Sequence, residues 1–136
     1  MAMDPELVQG LAVFRYALRR FLAASEAISR EAGITPQQYQ AMLAIKAGPA
    51  EGRPMKDLAD QLYLTHHAAV QLVDRMTKAG CATRQRSNSD RRSVLLSLTP
   101  AGERLLETLA ARHLQEMLRQ EPELSRSLRN LKRLGA

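Results

Sequence analysis

Apolar side chains at Leu7, Leu11, Phe14, Leu18, Phe21 and Leu22 recur at helical spacing. They predict a long amphipathic helix over 5–31, with Gly33 as its stop. Thr35-Pro36-Gln37-Gln38 reads as a fresh start: a threonine N-cap, proline at the first helical position, glutamine three residues after the cap. This second helix carries Tyr39, Met42, Leu43 and Lys46, and the segment 48–52, with two glycines and a proline, breaks it. A short third helix over 55–62 would bury Leu58, Ala59 and Leu62. After the turn Tyr63-Leu64-Thr65, Thr65 caps a fourth helix that runs to Lys78 and is ended by Gly80. Two short helices joined by so brief a turn form the helix-turn-helix pattern.

Beyond Gly80 the period falls to two. Residues 82–87 and 92–98 predict two strands around the polar turn Ser87-Asn88-Ser89-Asp90, with Val94, Leu96 and Leu98 on one face. Thr99-Pro100 begins a helix over 100–120, Glu121-Pro122 interrupts it, and a last helix over 123–134 carries Leu124, Leu128 and Leu131. The expected order is α-α-α-α-β-β-α-α, without internal repeat. The expected fold class is mainly α with a small β-hairpin wing, a single domain over 1–136. Its winged helix-turn-helix occupies 35–102, between terminal helical segments 1–34 and 103–136.

The last long helix is apolar over more of its circumference than one core requires. Leu105, Leu106, Leu109, Ala110 and Met117 make a broad stripe that Leu114 and Leu118 extend. Leu11, Phe14 and Leu18 offer a similar surface at the other end. Exposed stripes of this size are costly in a monomer, so both terminal segments are expected to be dimerisation helices that bury each other across a two-fold axis.

Charge narrows the expected partners. The chain of 136 residues has a net charge of +6, unevenly spread. Residues 1–52 carry five bases and five acids, whereas residues 53–92 carry eight bases against four acids. A localised basic surface suits a polyanion. No apolar run approaches a membrane span, the first residues are polar and acidic rather than leader-like, and a single cysteine makes no disulfide framework. A cytoplasmic protein with no membrane partner is expected.

On a helical projection of 66–79, Ala69, Leu72, Val73 and Met76 share one narrow face. His67, Gln71, Asp74 and Lys78 lie opposite, with Ala68 and Arg75 beside them. A slim apolar back and a front of small and polar groups suit a major groove. Gln71 can bond two edges of adenine, His66 and His67 can reach purine acceptors, and Ala68 can sit against a thymine methyl. An ordinary solvated surface helix would show the same polarity. The hairpin tips the balance, because Arg84, Arg86, Arg91 and Arg92 on so small a ribbon repel one another unless anions are near.

Other chemistry finds little support. Adjacent helical residues diverge, so His66 and His67 do not share a metal, and no second ligand lies at ligand spacing. No metal site and no cofactor are expected. Cys81 follows Gly80 and is expected to face the core. His113, at the edge of the apolar stripe, reads as a packed histidine. No Ser-His-Asp set, phosphate loop or carboxylate pair appears, so an enzyme is not expected.

The stretch Asp57-Leu58-Ala59, then Leu72-Val73-Asp74-Arg75-Met76, Gly80 and Asp90-Arg91-Arg92-Ser93-Val94-Leu95-Leu96-Ser97-Leu98-Thr99-Pro100-Ala101-Gly102 resembles the MarR (multiple antibiotic resistance regulator) family. The likeness is sharpest over 55–107. It implies a homodimer with interlocked terminal helices, reading pseudo-palindromic double-stranded DNA and responding to a small-molecule or oxidant signal. It places Thr65, His67, Ala68 and Gln71 at the groove and Arg91 or Arg92 at the wing. It pairs Asp74 with Arg92 as the tie between recognition helix and wing. It also implies an effector pocket between terminal helices and winged region, lined here by Phe14, Leu18, Tyr39, Met42, Leu43 and His113 and suited to a small apolar or aromatic acid. Three positions depart from the family pattern: Tyr63 where glycine is common, His66-His67 in place of small or basic residues, and Cys81 at a usually aliphatic site.

The leading expectation is a DNA-binding transcription regulator, a repressor, modulated by an effector. A metal- or thiol-switched sensor on the same scaffold and a winged-helix module that binds protein instead of DNA are the alternatives.

Overall fold

The computed structural model describes residues 2–90 and 92–136. Helix α1 spans Pro5–Glu31 and α2 spans Pro36–Lys46. A two-residue strand β1, Arg53–Pro54, leads into α3, Met55–Gln61, and α4, His66–Lys78. Strands β2, Ala82–Arg86, and β3, Val94–Leu98, form the hairpin, and α5 runs from Pro100 to Gly135. The three strands make one antiparallel sheet in the order β1-β3-β2. This is a winged helix-turn-helix held between two long helices.

The helix starts follow from the caps that the sequence carries. Asp4 accepts the Glu6 amide at 3.0 Å, with Pro5 in the first turn. Thr35 and Gln38 complete a reciprocal capping box at 3.0 and 3.1 Å. Each such box satisfies amide donors that a helix start leaves unpaired. The largest fully buried side chains, Met42, Leu58, Leu72, Met76, Leu96 and Leu109, come from five different elements. Leu109 brings the first third of α5 into the same core as the helix-turn-helix.

Helices α1 and α5 run antiparallel. Gly10 lies against Leu131 and Leu134, Arg20 pairs with Glu123 at 3.1 Å, and Glu31 pairs with Arg112 at 2.5 Å. A Cβ at Gly10 would sit 2.9 Å from the Leu134 side chain, so glycine allows the close approach there.

Two sequence expectations are corrected. The sheet has a third strand: β1 pairs Arg53 with Leu96 and Pro54 with Leu95. Two residues, one a proline, carry no readable alternation. Proline is tolerated there because β1 is an edge strand. The hairpin strands are also slightly shorter than expected, as the turn takes residues 87–93. More importantly, α5 does not break at Pro122. Pro122 lies on the exposed side, and the Leu118 residue whose carbonyl it leaves without an amide partner is itself 63% exposed, open to water. Contacts to α1 on both sides of the proline, at His113 and at Glu123, keep the helix continuous through it.

An interior proline costs a helix about 3 kcal/mol relative to alanine. Pro122→Ala is therefore expected to raise stability by about 1–3 kcal/mol in chemical denaturation. An unchanged midpoint would mean that residues 118–123 are not helical in solution.

Candidate nucleic-acid interface

The helix-turn-helix is set by its inward side chains. Leu58 and Ala59 of α3 meet Ala69, Leu72, Val73 and Met76 of α4, all buried. The turn closes with Leu62 and Leu64 amides donating to Leu58 and Ala59 carbonyls at 3.1 and 2.9 Å. Tyr63 takes a left-handed conformation between them, φ 54°. The Thr65 hydroxyl oxygen then accepts the Ala68 amide at 3.1 Å, starting α4. Its hydroxyl hydrogen stays available to a further acceptor.

With the apolar face buried, α4 presents His66, His67, Gln71, Arg75 and Lys78 to solvent, and Ala68 is half-buried. All but His66 are residues that the projection placed on the front or beside it. Asp74 is half-buried beside them. Its partner is Arg84 on β2, at 2.5 Å, and not Arg92. The register explains the difference. Arg84 lies opposite Leu96 and Arg86 opposite Val94, so Arg92 falls beyond the paired strands. At about 3.4 Å per residue, that is too far along the ribbon from the helix to share the carboxylate. Arg84 and Arg86, two residues apart, share the strand face turned towards α4.

The wing tip holds its own shape. The Ser89 and Asp90 amides donate to the Ser87 hydroxyl at 3.2 and 3.3 Å. The Asp90 carboxylate accepts the Arg92 amide at 3.0 Å and the Ser93 hydroxyl at 3.4 Å. The Ser87 amide closes the loop on the Ser93 carbonyl at 3.0 Å. Sequence reasoning marked this as a polar turn but missed Asp90 as its organiser. An aspartate two residues before a backbone amide was the available signal. Arg91, expected at the wing, lies outside the described residues.

The wing is also fastened at its base. Thr99 caps α5 by accepting the Gly102 amide at 3.0 Å, while its hydroxyl donates to the Gly80 carbonyl at 2.6 Å. Its amide donates to the Cys81 carbonyl at 3.0 Å. Cys81 is half-buried, not in the core as expected, because its backbone is committed to this junction and its thiol turns back to the Ala79 carbonyl at 3.9 Å.

Of the residues expected to line an effector pocket, Tyr39 and His113 meet directly. Tyr39 stacks on His113, ring centroids 3.8 Å apart and planes within 7°. Both are buried, as is Met42. His113 also brackets two backbone carbonyls, Leu109 at 2.8 Å and Ser25 at 3.2 Å. Burial pushes the Tyr39 phenol above its ordinary value, so it stays neutral. These three side chains fill one another's space. Phe14 and Leu18 are half-buried on α1. Leu43, one residue and a quarter turn from Met42, faces elsewhere: it lines an open groove of about 440 Å³ with Lys46, Leu106 and Ala110. Among the described residues, no three histidine, cysteine, aspartate or glutamate side chains cluster as metal ligands would. No described helix is long and apolar enough to cross a membrane.

Residues 32–93 match the sequence profile of the MarR family. The organic hydroperoxide resistance transcriptional regulator of Bacillus subtilis (strain 168) is 40% identical over 74 residues, 54% of this chain and 49% of that protein. The chain spans about half the length of the curated relatives it matches. Among solved structures, AbsC, a MarR family transcriptional regulator from Streptomyces coelicolor, superposes with a TM-score of 0.83 at 19% identity, over 91% of this chain and 84% of that one. Another MarR family transcriptional regulator from Streptomyces coelicolor, solved in complex with DNA, gives 0.80 at 21% identity, over 98% and 88%. At such identities the likeness speaks for the fold.

The Asp74–Arg84 pair is about two-fifths exposed on both sides, so water screens it. A double-mutant cycle on Asp74→Ala and Arg84→Ala should give a coupling of about 0.2–1 kcal/mol. Amide exchange in β2 should quicken in either single variant. No coupling and unchanged exchange would mean that the wing is held by its base alone.

Proposed function

Since residues 32–93 form a MarR family winged helix-turn-helix, we infer that this chain is a transcription regulator that reads pseudo-palindromic double-stranded DNA as a homodimer. The observation that carries the reading is the exposed front of α4, polar with Arg75 and Lys78 as its cations, beside a wing strand whose Arg84 and Arg86 lie on the helix side. Gln71, His66 and His67 are the base readers, and Ala68 leaves room for a thymine methyl. Thr65, Arg75, Lys78 and Arg86 hold phosphates, with Arg91 and Arg92 at the wing tip. Arg84 has a different role from the one its sequence position suggested. Bound to Asp74, it positions the wing and neutralises the one carboxylate that would face DNA.

The dimer is proposed from surface chemistry. Leu7, Leu11 and Leu22 on α1, and Leu114, Met117, Leu118 and Leu128 on α5, are each more than two-fifths exposed. A soluble chain seldom leaves so many large apolar side chains open along two paired helices. Two copies related by a two-fold axis would cover them and would space two recognition helices for two half-sites. Regulation is expected to be repression, because a protein seated on operator DNA excludes other proteins from it. A small apolar or aromatic acid is the expected effector; the open groove at Leu43 is a poor seat for it, because Glu103 and Glu107 line it and Lys46 is already paired with Glu103 at 2.8 Å.

Light scattering at micromolar concentration should give twice the chain mass. A monomer that binds its operator tightly would refute the assembly. Fluorescence titrations at several salt concentrations test the rest, using a duplex from upstream of the chain's own gene and a random duplex. Gln71→Ala should narrow the gap between the two duplexes by about 1–3 kcal/mol and leave the salt slope intact. Arg86→Ala should weaken both and lower the slope by about 0.9. Asp74→Ala should weaken binding although it removes a negative charge. Tighter binding would show that the carboxylate merely repels DNA. An aromatic acid such as benzoate, added to the same titrations, should loosen the operator complex.

A further inference from the structure

Four positions among the described residues have a backbone in the left-handed region, and three of them are glycines: Gly33, φ 79°; Gly52, φ 127°; Gly80, φ 77°. The fourth is Tyr63, φ 54°, at the helix-turn-helix turn. Gly33 and Gly80 end α1 and α4 as Tyr63 ends α3, so this chain elsewhere answers the same backbone demand with the residue that meets it without steric cost. A bulky aromatic in this region is an outlier, and such strain persists where something else requires the side chain.

Packing does not require it. Tyr63 is 97% exposed, the most open large hydrophobic side chain of the described residues. Its hydroxyl has no hydrogen-bond partner among them. It gives up backbone ease and returns nothing to the folded chain, so its role is with something outside the chain.

Its position says what. Tyr63 stands two residues before Thr65, the N-cap of α4. Consecutive Cα atoms are about 3.8 Å apart, so its backbone is within about 7.6 Å of the helix start. A major groove is about 12 Å wide, which puts its phosphate walls about 6 Å from a helix seated at its centre. A tyrosine reaching outward from the lip of such a helix meets the wall, not the bases. Its phenol is a neutral donor well matched to a phosphate oxygen.

We propose that Tyr63 is a phosphate-contacting residue of the DNA interface, fixing how the recognition helix enters the groove at the expense of turn strain. The proposal rests on the DNA-binding reading above. It makes two expectations that pull in opposite directions. Removing the tyrosine should relax the fold and weaken the complex.

The test compares the full chain with Tyr63→Phe and Tyr63→Gly, by thermal melting and by titration of the upstream and random duplexes. Tyr63→Phe keeps the ring and loses only the hydroxyl. It should melt like the parent and bind both duplexes about five-fold more weakly, one net hydrogen bond's worth. The salt slope should not move, because no cation is lost. Tyr63→Gly should melt a few degrees higher, having shed the strain, and bind at least as weakly as Tyr63→Phe. If the parent binds DNA and both variants bind as it does, this inference falls and the DNA-binding reading stands. A lower melting temperature for Tyr63→Gly would also overturn it, since the side chain would then be holding the fold. Failure of the parent to bind either duplex would remove the DNA-binding reading and this inference together.

Discussion

The arrangement depends on one crowded junction, where the end of α4, the root of the hairpin and the start of α5 meet. A single threonine, Thr99, makes three of its bonds: to the Gly80 carbonyl, the Cys81 carbonyl and the Gly102 amide. The backbones approach so closely that a Cβ at Gly102 would run into the Cys81 carbonyl oxygen. This contact sets the angle between wing and recognition helix, because both elements meet there and lie side by side from it, as the Asp74–Arg84 pair shows. It also fixes where α5 begins, and through α5 the pairing with α1. A side chain at Gly102 would force all three elements apart.

From that junction outward the molecule separates rigid and compliant parts. The backs of α3 and α4 are sealed by fully buried aliphatic and methionine side chains, so the recognition face has little freedom to shift. The wing has less behind it. Its root is pinned at Thr99, its middle by the half-exposed Asp74–Arg84 pair, and its tip by hydrogen bonds that Asp90 and Ser87 organise. A ribbon held this way keeps its register while its tip can adjust to a curved, charged surface.

The α1–α5 pair connects the terminal helices to the winged region. His113 stands where α1, α2 and α5 converge, stacked on Tyr39 and flanked by carbonyls of α5 and α1. One turn along α2 from Tyr39, Leu43 lines an open groove against α5, with Glu103 and Glu107 at its edge.

By itself the sequence determined what depends on neighbours along the chain. The caps at Thr35, Thr65 and Thr99, the apolar back of α4 and the hairpin's alternation are all local, written in residues two to four apart. The winged helix-turn-helix and its exposed reading face were legible for that reason. What only the tertiary structure decided depends on partners far along the chain. Pro122 stays helical because α1 braces α5 on both sides of it, which no local rule contains. Asp74 takes Arg84 and leaves Arg92 because strand register, not charge, sets which arginine arrives. Strand β1 exists because β3 offers it an edge. Tyr39, Met42 and His113 form a core while Leu43 lines a groove, because helix packing sorts residues that periodicity alone leaves side by side. Local bonds are fixed by spacing and chemistry, whereas these outcomes follow from which distant surfaces pack together and fill one another's space.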